Sequence, residues 1–348
     1  MTPKKILILY SLPNPFLPDG SVDVFGPKSV MARLQAVKGS LLALGHGVKV
    51  LETKEDLPPM SRKILRSGAD LIFNLCEEFQ GQSRLEMNIA ALLELLQIPF
   101  TGSPALVLGL SQDKGKTKSI LAHHGVPTPS YAIWSPGEPR PASLPRFPLF
   151  VKPLREDASL GIDNDALVKS QADLRRQAEK IHCLHRQPAL VEEYVDGREL
   201  NVSILGNRDA EVLPISEIDF STLPPSLPRI CGYEAKWVEH SPEFGHTVPL
   251  CPASLPRKVE RKVREVALRA YRLMDCRDYA RVDIRLGRSG TPYVLEINAN
   301  PDISPDAGMP RSAGVAGYDY TRMIGRIVNL AWARNHPSEN PPGPSPHE

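Results

Sequence analysis

Ala280 to Pro301 reads ARVDIRLGRSGTPYVLEINANP, two runs of strand-like alternation around a Gly-Arg-Ser-Gly turn signal. Successive strand side chains point to opposite faces, so Arg281 and Asp283 share one face of the first run. Glu296 and Asn298 share one face of the second. With the turn at Gly287 to Gly290, Arg281 is expected opposite Glu296, and Asp283 diagonal to it. Two carboxylates, an amide oxygen and a guanidinium then meet on one surface. Oxygen ligands of this kind suit Mg²⁺, which keeps several waters and binds through a few carboxylates plus substrate phosphates. A pair of Mg²⁺ ions bridging the phosphates of ATP is the natural occupant. A solvated hairpin face with a surface ion pair would explain any one of these residues alone; together, with Pro301 ending the run, they point to a site.

Working outward, Phe150 to Gly161 reads FVKPLREDASLG, a lysine leaving a strand into a loop with small residues. Such a lysine reaches a phosphate as a point charge, and the loop can bring backbone N–H groups to phosphate oxygens and serve as a lid. Taken alone, a Lys-Pro turn in solvent explains it as well. Leu190 to Val195, LVEEYV, is an apolar strand ending in acids, able to line an adenine slot with backbone groups or to be a buried strand with an exposed end.

The surrounding 348 residues are 41% hydrophobic and 24% charged, an ordinary globular composition. Lys plus Arg number 42 against 40 for Asp plus Glu, which gives no electrostatic case for a nucleic acid or an anionic membrane as partner. Five cysteines without a Cys-x-x-Cys pair suggest neither a disulfide framework nor a zinc site, and a reducing cytoplasm fits them best. No run approaches the ~20 apolar residues of a membrane span.

Strand and helix signals alternate through residues 1–103: Ile6 to Tyr10, a helix from Pro27 to Leu44 stopped by Gly45, Val48 to Leu51, Ala69 to Leu75, a helix over Leu85 to Leu96, and Ile98 to Thr101. The order predicts an open parallel α/β lobe. Residues 104–190 read as a small α+β lobe, with a helix around Asp113 to His124, proline-rich loops and edge segments to Pro148, strand Leu149 to Lys152, a helix opened by Ser170, and strand Ala189 to Val195. Residues 191–335 read as a third lobe, with strands Leu200 to Leu205 and Glu211 to Ile218, a long helix carrying Val259, Val263, Val266, Ala270 and Leu273 on one face, and the closing strand pair. Residues 336–348 read as a disordered tail.

The order and spacing of these pieces resemble the D-alanine–D-alanine ligase branch of the ATP-grasp superfamily. The resemblance spans about Ala69 to Ile327: IPFTGS (98–103), QDKGKTK (112–118), VPTP (126–129), FVKP, LVEEYVDGRELNVSILG, YEAKW, CPA, ARVDIRL and VLEINANP, in the family's order. It implies an ATP-grasp fold in which two α+β lobes clamp ATP beside the parallel-sheet lobe, and a ligase that activates a carboxylate as an acyl phosphate and passes the acyl group to an amine. On that resemblance Lys114 and Lys152 would hold ATP phosphates, with Ser159 in the lid loop over the nucleotide. Glu192, Glu193, Tyr194 and Val195 would form the adenine hinge, and Glu199 would meet the ribose. Lys236 would meet the transferring phosphate, and Asp283, Glu296 and Asn298 would bind two Mg²⁺, with Mn²⁺ able to substitute. Arg281 would neutralise charge on the acyl phosphate and the tetrahedral intermediate, as suits a forked cation facing a developing oxyanion.

The chain departs from the family where substrates would bind. The family's Gly-Ser-Ser-Val-Gly lid corresponds to Asp157, Ala158, Ser159, Leu160 and Gly161, without the first serine. That serine works with a tyrosine, here Trp237, and an N-terminal glutamate that Tyr10 to Pro18 does not offer. The serine and leucine that anchor the acceptor carboxylate correspond to Asp306 and Ala307, and a nearby glycine to Asp302. An aspartate repels a carboxylate and attracts an amine, so the expected substrates are small carboxylates and amines, amino acids or short peptides, other than D-alanine. A true D-alanine–D-alanine ligase, a non-catalytic ATP-binding protein and an ATP-grasp kinase remain as alternatives, and a homodimer is left open. Gly115-Lys116-Thr117 imitates the end of a P-loop, but the earlier glycine would fall at Leu110. His123, His124, His182 and His185 have no third ligand near in sequence.

Overall fold

The computed structural model describes residues 2–14, 16, 20, 22, 25–54, 56–157 and 159–336. The expected tail from residue 337 on, Ala158 in the lid loop, and Pro15, Leu17 and Pro18 of the early segment lie outside the described residues.

The first lobe follows the sequence signals closely. Strand β1 (Lys5–Tyr10) leads to helix α1 (Gly26–Ala43), β2 (Gly47–Glu52), α2 (Leu57–Arg66), β3 (Leu71–Leu75) and α3 (Glu86–Leu95). Leu34, Val37 and Leu41, spaced by three and four, form the buried face of α1. Gly45, at φ +82°, ends the turn that follows. Helix α2, with prolines in its first turn, was not signalled by the sequence. The sheet is parallel in the order β2-β1-β3, so the chain reverses its direction of travel at β1 and opens a crevice at the carboxyl ends of β1 and β3. The expected strand Ile98 to Thr101 is reduced to one parallel bridge between Ile72 and Phe100. Pro99 accepts from Ile72 N but has no N–H to return.

Helices α4 (Ala105–Gln112) and α5 (Lys114–His123) lead to β4 (Tyr131–Trp134), β5 (Leu149–Pro153), β6 (Leu167–Val168), α6 (Gln171–His185) and β7 (Ala189–Glu193). The strands form a sheet ordered β4-β7-β5-β6, so the proline-rich passage does supply an edge strand. Asp113 caps α5 by accepting from Lys116 N at 3.1 Å. Ser170 caps α6, accepting from Asp173 N at 3.2 Å and donating to Asp173 Oδ2 at 2.7 Å.

The third sheet is built from β8 (Gly197–Leu205), β9 (Glu211–Val212), β10 (Ser216–Asp219), β11 (Val248–Leu250), β12 (Tyr279–Gly287) and β13 (Pro292–Asn298), ordered β11-β10-β8-β12-β13 with β9 beside β8. The run Glu211 to Ile218, expected as one strand, is two, with Pro214 between them unable to donate to a ladder. Short helices α7 (Tyr233–Trp237) and α8 (Pro242–His246) precede β11, and α9 (Arg257–Leu273) packs Val263, Ala267 and Ala270 against the sheet. Two helices follow the hairpin, beyond the strand pair with which the sequence signals close: α10 (Gly308–Val315) and α11 (Tyr320–Asn335). Met323, Ile324, Ile327 and Val328 of α11 share a core with Ile6, Ile8, Leu34 and Leu41, so the last helix closes over the first sheet.

Candidate active site

The hairpin β12–β13 is antiparallel, but its register differs from the one expected. Arg281 lies opposite Asn298 and Asp283 opposite Glu296, because the pairing slips between Asp283 and Ile284. Nearer the turn Ile284 pairs with Val294, so Leu295 is an extra residue, a β-bulge. The bulge lets Val294 and Ile297, three apart, both enter the core against Ile284 and Val282. Arg281, Asp283, Glu296 and Asn298 still share the opposite face.

On that face Arg281 grips Asp283 with two parallel hydrogen bonds, Nε to Oδ1 at 2.7 Å and Nη2 to Oδ2 at 2.8 Å. Asn201 of β8 donates to Asp283 Oδ1 at 2.8 Å. Three of the four lone-pair positions of Asp283 are thereby used, leaving one on Oδ2. Glu296 Oε2 lies 3.7 Å from Lys114 Nζ and 3.9 Å from Lys152 Nζ. Burial pushes the Glu296 carboxyl up, but Lys114, Lys152, Lys236 and Arg281 outweigh it and hold it at about 2. Asn298 Oδ1 accepts from Asn300 N at 3.0 Å.

The described residues contain no group of three or more His, Cys, Asp or Glu able to hold a metal unaided. Two carboxylates and an amide on one face are an incomplete shell that phosphate oxygens and water would complete, the donor chemistry that suits Mg²⁺. The residues present fit that ion.

Lys152 leaves β5 buried and ion-pairs with Glu192 at 3.0 Å. Lys114, at the start of α5, donates to the Glu156 carbonyl and lies 3.5 Å from Asp157. The loop after β5 is thus folded over Lys114. Ser159, at φ +63°, donates from Oγ to the Cys231 carbonyl at 2.9 Å, and Tyr233 N donates to Ile162 O, which docks the loop on the segment entering α7. Gly161 is required here: at φ +74°, a Cβ would fall 2.6 Å from His185 Nε2 and from Pro153 Cγ. Lys236 of α7 is exposed, and Trp237 closes the same helix half-buried.

From Glu192 to Tyr194, Glu192 turns its carboxylate into the protein, Glu193 accepts from Ser130 Oγ at 2.6 Å, and Tyr194 hydrogen-bonds through its hydroxyl with Arg229 O and Arg285. Val195 follows, half-buried, and Glu199 of β8 lies 3.5 Å from Arg285. Burial raises the Glu199 carboxyl despite that arginine. Asp302 Oδ1 accepts from Ser304 N at 2.8 Å and Oγ at 2.6 Å, and Arg33 Nη1 lies 3.4 Å away. Asp306 is exposed ahead of α10.

The family model described as D-ala D-ala ligase C-terminus matches residues 139–329, more than half of the chain. The chain belongs to the D-alanine–D-alanine ligase family. It is an ATP-grasp carboxylate–amine ligase, forming C–N bonds. It is 31% identical to the D-alanine–D-alanine ligase of Desulforudis audaxviator over 86% of this chain and 92% of that one. It is 37% identical to an uncharacterised protein, y4sG, of Sinorhizobium fredii over 88% of this chain and 87% of that one. The fold is that of the D-alanine–D-alanine ligase of Bacillus anthracis complexed with ATP, at a TM-score of 0.74 and 22% identity, covering 96% of this chain and 99% of that one.

Several residues around the face of this D-alanine–D-alanine ligase family member were not singled out by the sequence. Arg33 of α1 is buried and pairs with Glu77 and Asp302, while Arg285 donates to the Tyr194 hydroxyl at 3.1 Å. Lys118 lies four residues after Lys114, a spacing that puts both on one helix face and could have flagged it. Glu86 is buried and accepts from Asn300 Nδ2 at 2.9 Å; the same amide nitrogen donates to Cys76 O at 3.0 Å. Burial raises the Glu86 carboxyl to about 8. Between its ordinary value and about 8 the folded protein holds a proton that the unfolded chain has lost, so stability falls as pH rises through that window. Glu86→Gln removes this slope. In urea unfolding at pH 5 and pH 8, the wild type should lose roughly 1 kcal/mol or more relative to the variant at the higher pH, and parallel behaviour would refute the assignment.

Proposed function

We propose that this ligase joins an ATP-activated carboxylate to an amine, that its substrate is an amino acid or short peptide other than D-alanine, and that Glu77 and Asp302 read a cationic group on it. The observation that carries this reading is the separation of charge along the site. At one end Lys114, Lys118, Lys152 and Lys236 stand against Glu296, Glu192 and Asp157, a surplus of one positive charge suited to phosphates. At the other, Glu77 and Asp302 share the single buried Arg33, with side chains 42% and 38% exposed, leaving a net negative rim. That rim lies at the carboxyl ends of β1 and β3, where Ser11 Oγ accepts from Glu77 N at 3.1 Å.

In this reading Lys114, Lys152 and Lys236 bind and align the phosphates, and Arg281 faces the oxygen on which charge develops as the amine attacks the acyl phosphate. Asp283, Glu296 and Asn298 would hold Mg²⁺, which when bound neutralises phosphate oxygens. The loop from Arg155 to Gly161 keeps water from the acyl phosphate. Glu193 to Val195 supply backbone groups for adenine and Glu199 a carboxylate for ribose. Asp306 disfavours a bare carboxylate at the acceptor position.

The test is phosphate release from ATP and Mg²⁺ against D- and L-amino acids and dipeptides, singly and in pairs, with mass spectrometry of products. Release that needs a pair and yields the summed mass less water is expected, with cationic substrates favoured. Asp302→Asn should raise KM for the amino substrate about tenfold and leave KM for ATP within about twofold. Efficient D-alanyl-D-alanine formation would overturn the substrate reading.

A further inference from the structure

Lys118 is a charged side chain that none of the roles above uses, and it is 0% exposed. Its ammonium ion-pairs with Glu192 and donates to Thr128 Oγ1 at 2.7 Å. Thr128 in turn donates to the Val294 carbonyl at 2.8 Å, two residues before Glu296. Glu192 has Lys152 as its second partner at 3.0 Å, and Lys152 reaches toward Glu296 at 3.9 Å. Lys118, Glu192 and Lys152 therefore form a buried row of alternating charge, from α5 through β7 to β5.

The charge balance of the row matters for its last member. A Glu192–Lys152 pair alone would be neutral, and the carboxylate would cancel most of the charge Lys152 shows to an anion. With Lys118 on the other oxygen the row carries net +1. Burial pushes the Glu192 carboxyl up, but Lys118 and Lys152 outweigh it and hold it below the ordinary range; burial and the neighbouring Lys152 push the Lys118 ammonium down from its ordinary value, and the Glu192 carboxylate beside it opposes that shift.

We propose that Lys118 is a positioning residue for nucleotide binding: it occupies Glu192 so that Lys152 keeps its positive charge for the phosphates of ATP. Lys118 itself does not touch the nucleotide. The inference rests on the reading of Lys152 as a phosphate ligand, and Lys152→Ala tests that reading separately.

The experiment is calorimetric titration of the full chain with ATP and Mg²⁺, for the wild type, Lys118→Met, the double variant Lys118→Met with Glu192→Gln, and Lys152→Ala. Lys118→Met should weaken ATP binding about tenfold, since Glu192 then neutralises Lys152. The double variant restores net +1 by removing one buried charge of each sign; because Glu192 is buried with its two carboxylate oxygens on Lys118 and Lys152, the change leaves in place the backbone of Glu193 to Val195 that would meet adenine, and affinity should return to within about threefold of wild type. A merely structural lysine would not be rescued by removing a second native group. Unchanged affinity in folded Lys118→Met, or a double variant weaker than wild type by tenfold or more, overturns the proposal. The second criterion stands even if Lys118→Met alone does not fold. Wild-type affinity in Lys152→Ala overturns the underlying phosphate assignment, whatever the Lys118 variants do.

Discussion

Glu296→Gln is expected to lower kcat by at least about 100-fold while the protein stays folded. Glutamine keeps the volume and one oxygen but removes the carboxylate that Lys114, Lys152, Lys236 and Arg281 together hold ionised. In the proposed site that charge lets Mg²⁺ sit among cations, so its loss should also raise the Mg²⁺ concentration needed for half-maximal rate. The carboxyl is held at about 2, so its stabilising contribution is complete above the ordinary carboxylate range and fades only as pH falls toward 2. The variant should accordingly show a flatter loss of stability below pH 4. Steady-state ADP release across a Mg²⁺ series, with thermal melts at pH 3 and pH 7, checks both. Normal turnover would remove the metal assignment.

Arg281→Met is expected to cost kcat about 10²- to 10³-fold, the scale of removing one preorganised donor from an oxyanion site. ATP affinity should change less than about threefold, because the phosphate contacts are assigned to the lysines. Arg281→Lys should recover little: the two parallel bonds to Asp283, at 2.7 and 2.8 Å, need a planar fork that an ammonium lacks. Single-turnover acyl transfer compared with equilibrium ATP binding separates the two quantities. An equal loss in both would place Arg281 in ground-state binding instead.

Much of the fold was legible because its signals are local. The three-and-four spacing of Leu34, Val37 and Leu41 gave α1, and Ser170 with Asp173 gave the start of α6. What escaped were α2, α4, α7, α8, α10 and α11, which lack strong caps or lie outside quoted motifs. Proline decided two strand errors, at Pro99 and Pro214, by removing a ladder donor. In the candidate site, Lys114 and Lys152, named from the family resemblance, lie 3.7 and 3.9 Å from Glu296 of the hairpin. Arg33 and Glu86 were invisible because their partners are far along the chain: Asp302 is 269 residues from Arg33, and Asn300 is 214 from Glu86.

By itself, the sequence determined that Arg281 and Asp283 share one side of their strand, and Glu296 and Asn298 one side of theirs, since strand alternation depends only on backbone geometry over a few residues. Only the tertiary structure decided which of them meet. The bulge at Leu295 re-paired Asp283 with Glu296, because Val294 and Ile297 both had to enter the core. Charge compensation was likewise a tertiary result: Lys118, Glu192 and Lys152 come from three elements, and burying any one of them is tolerable only where folding has brought the others within reach.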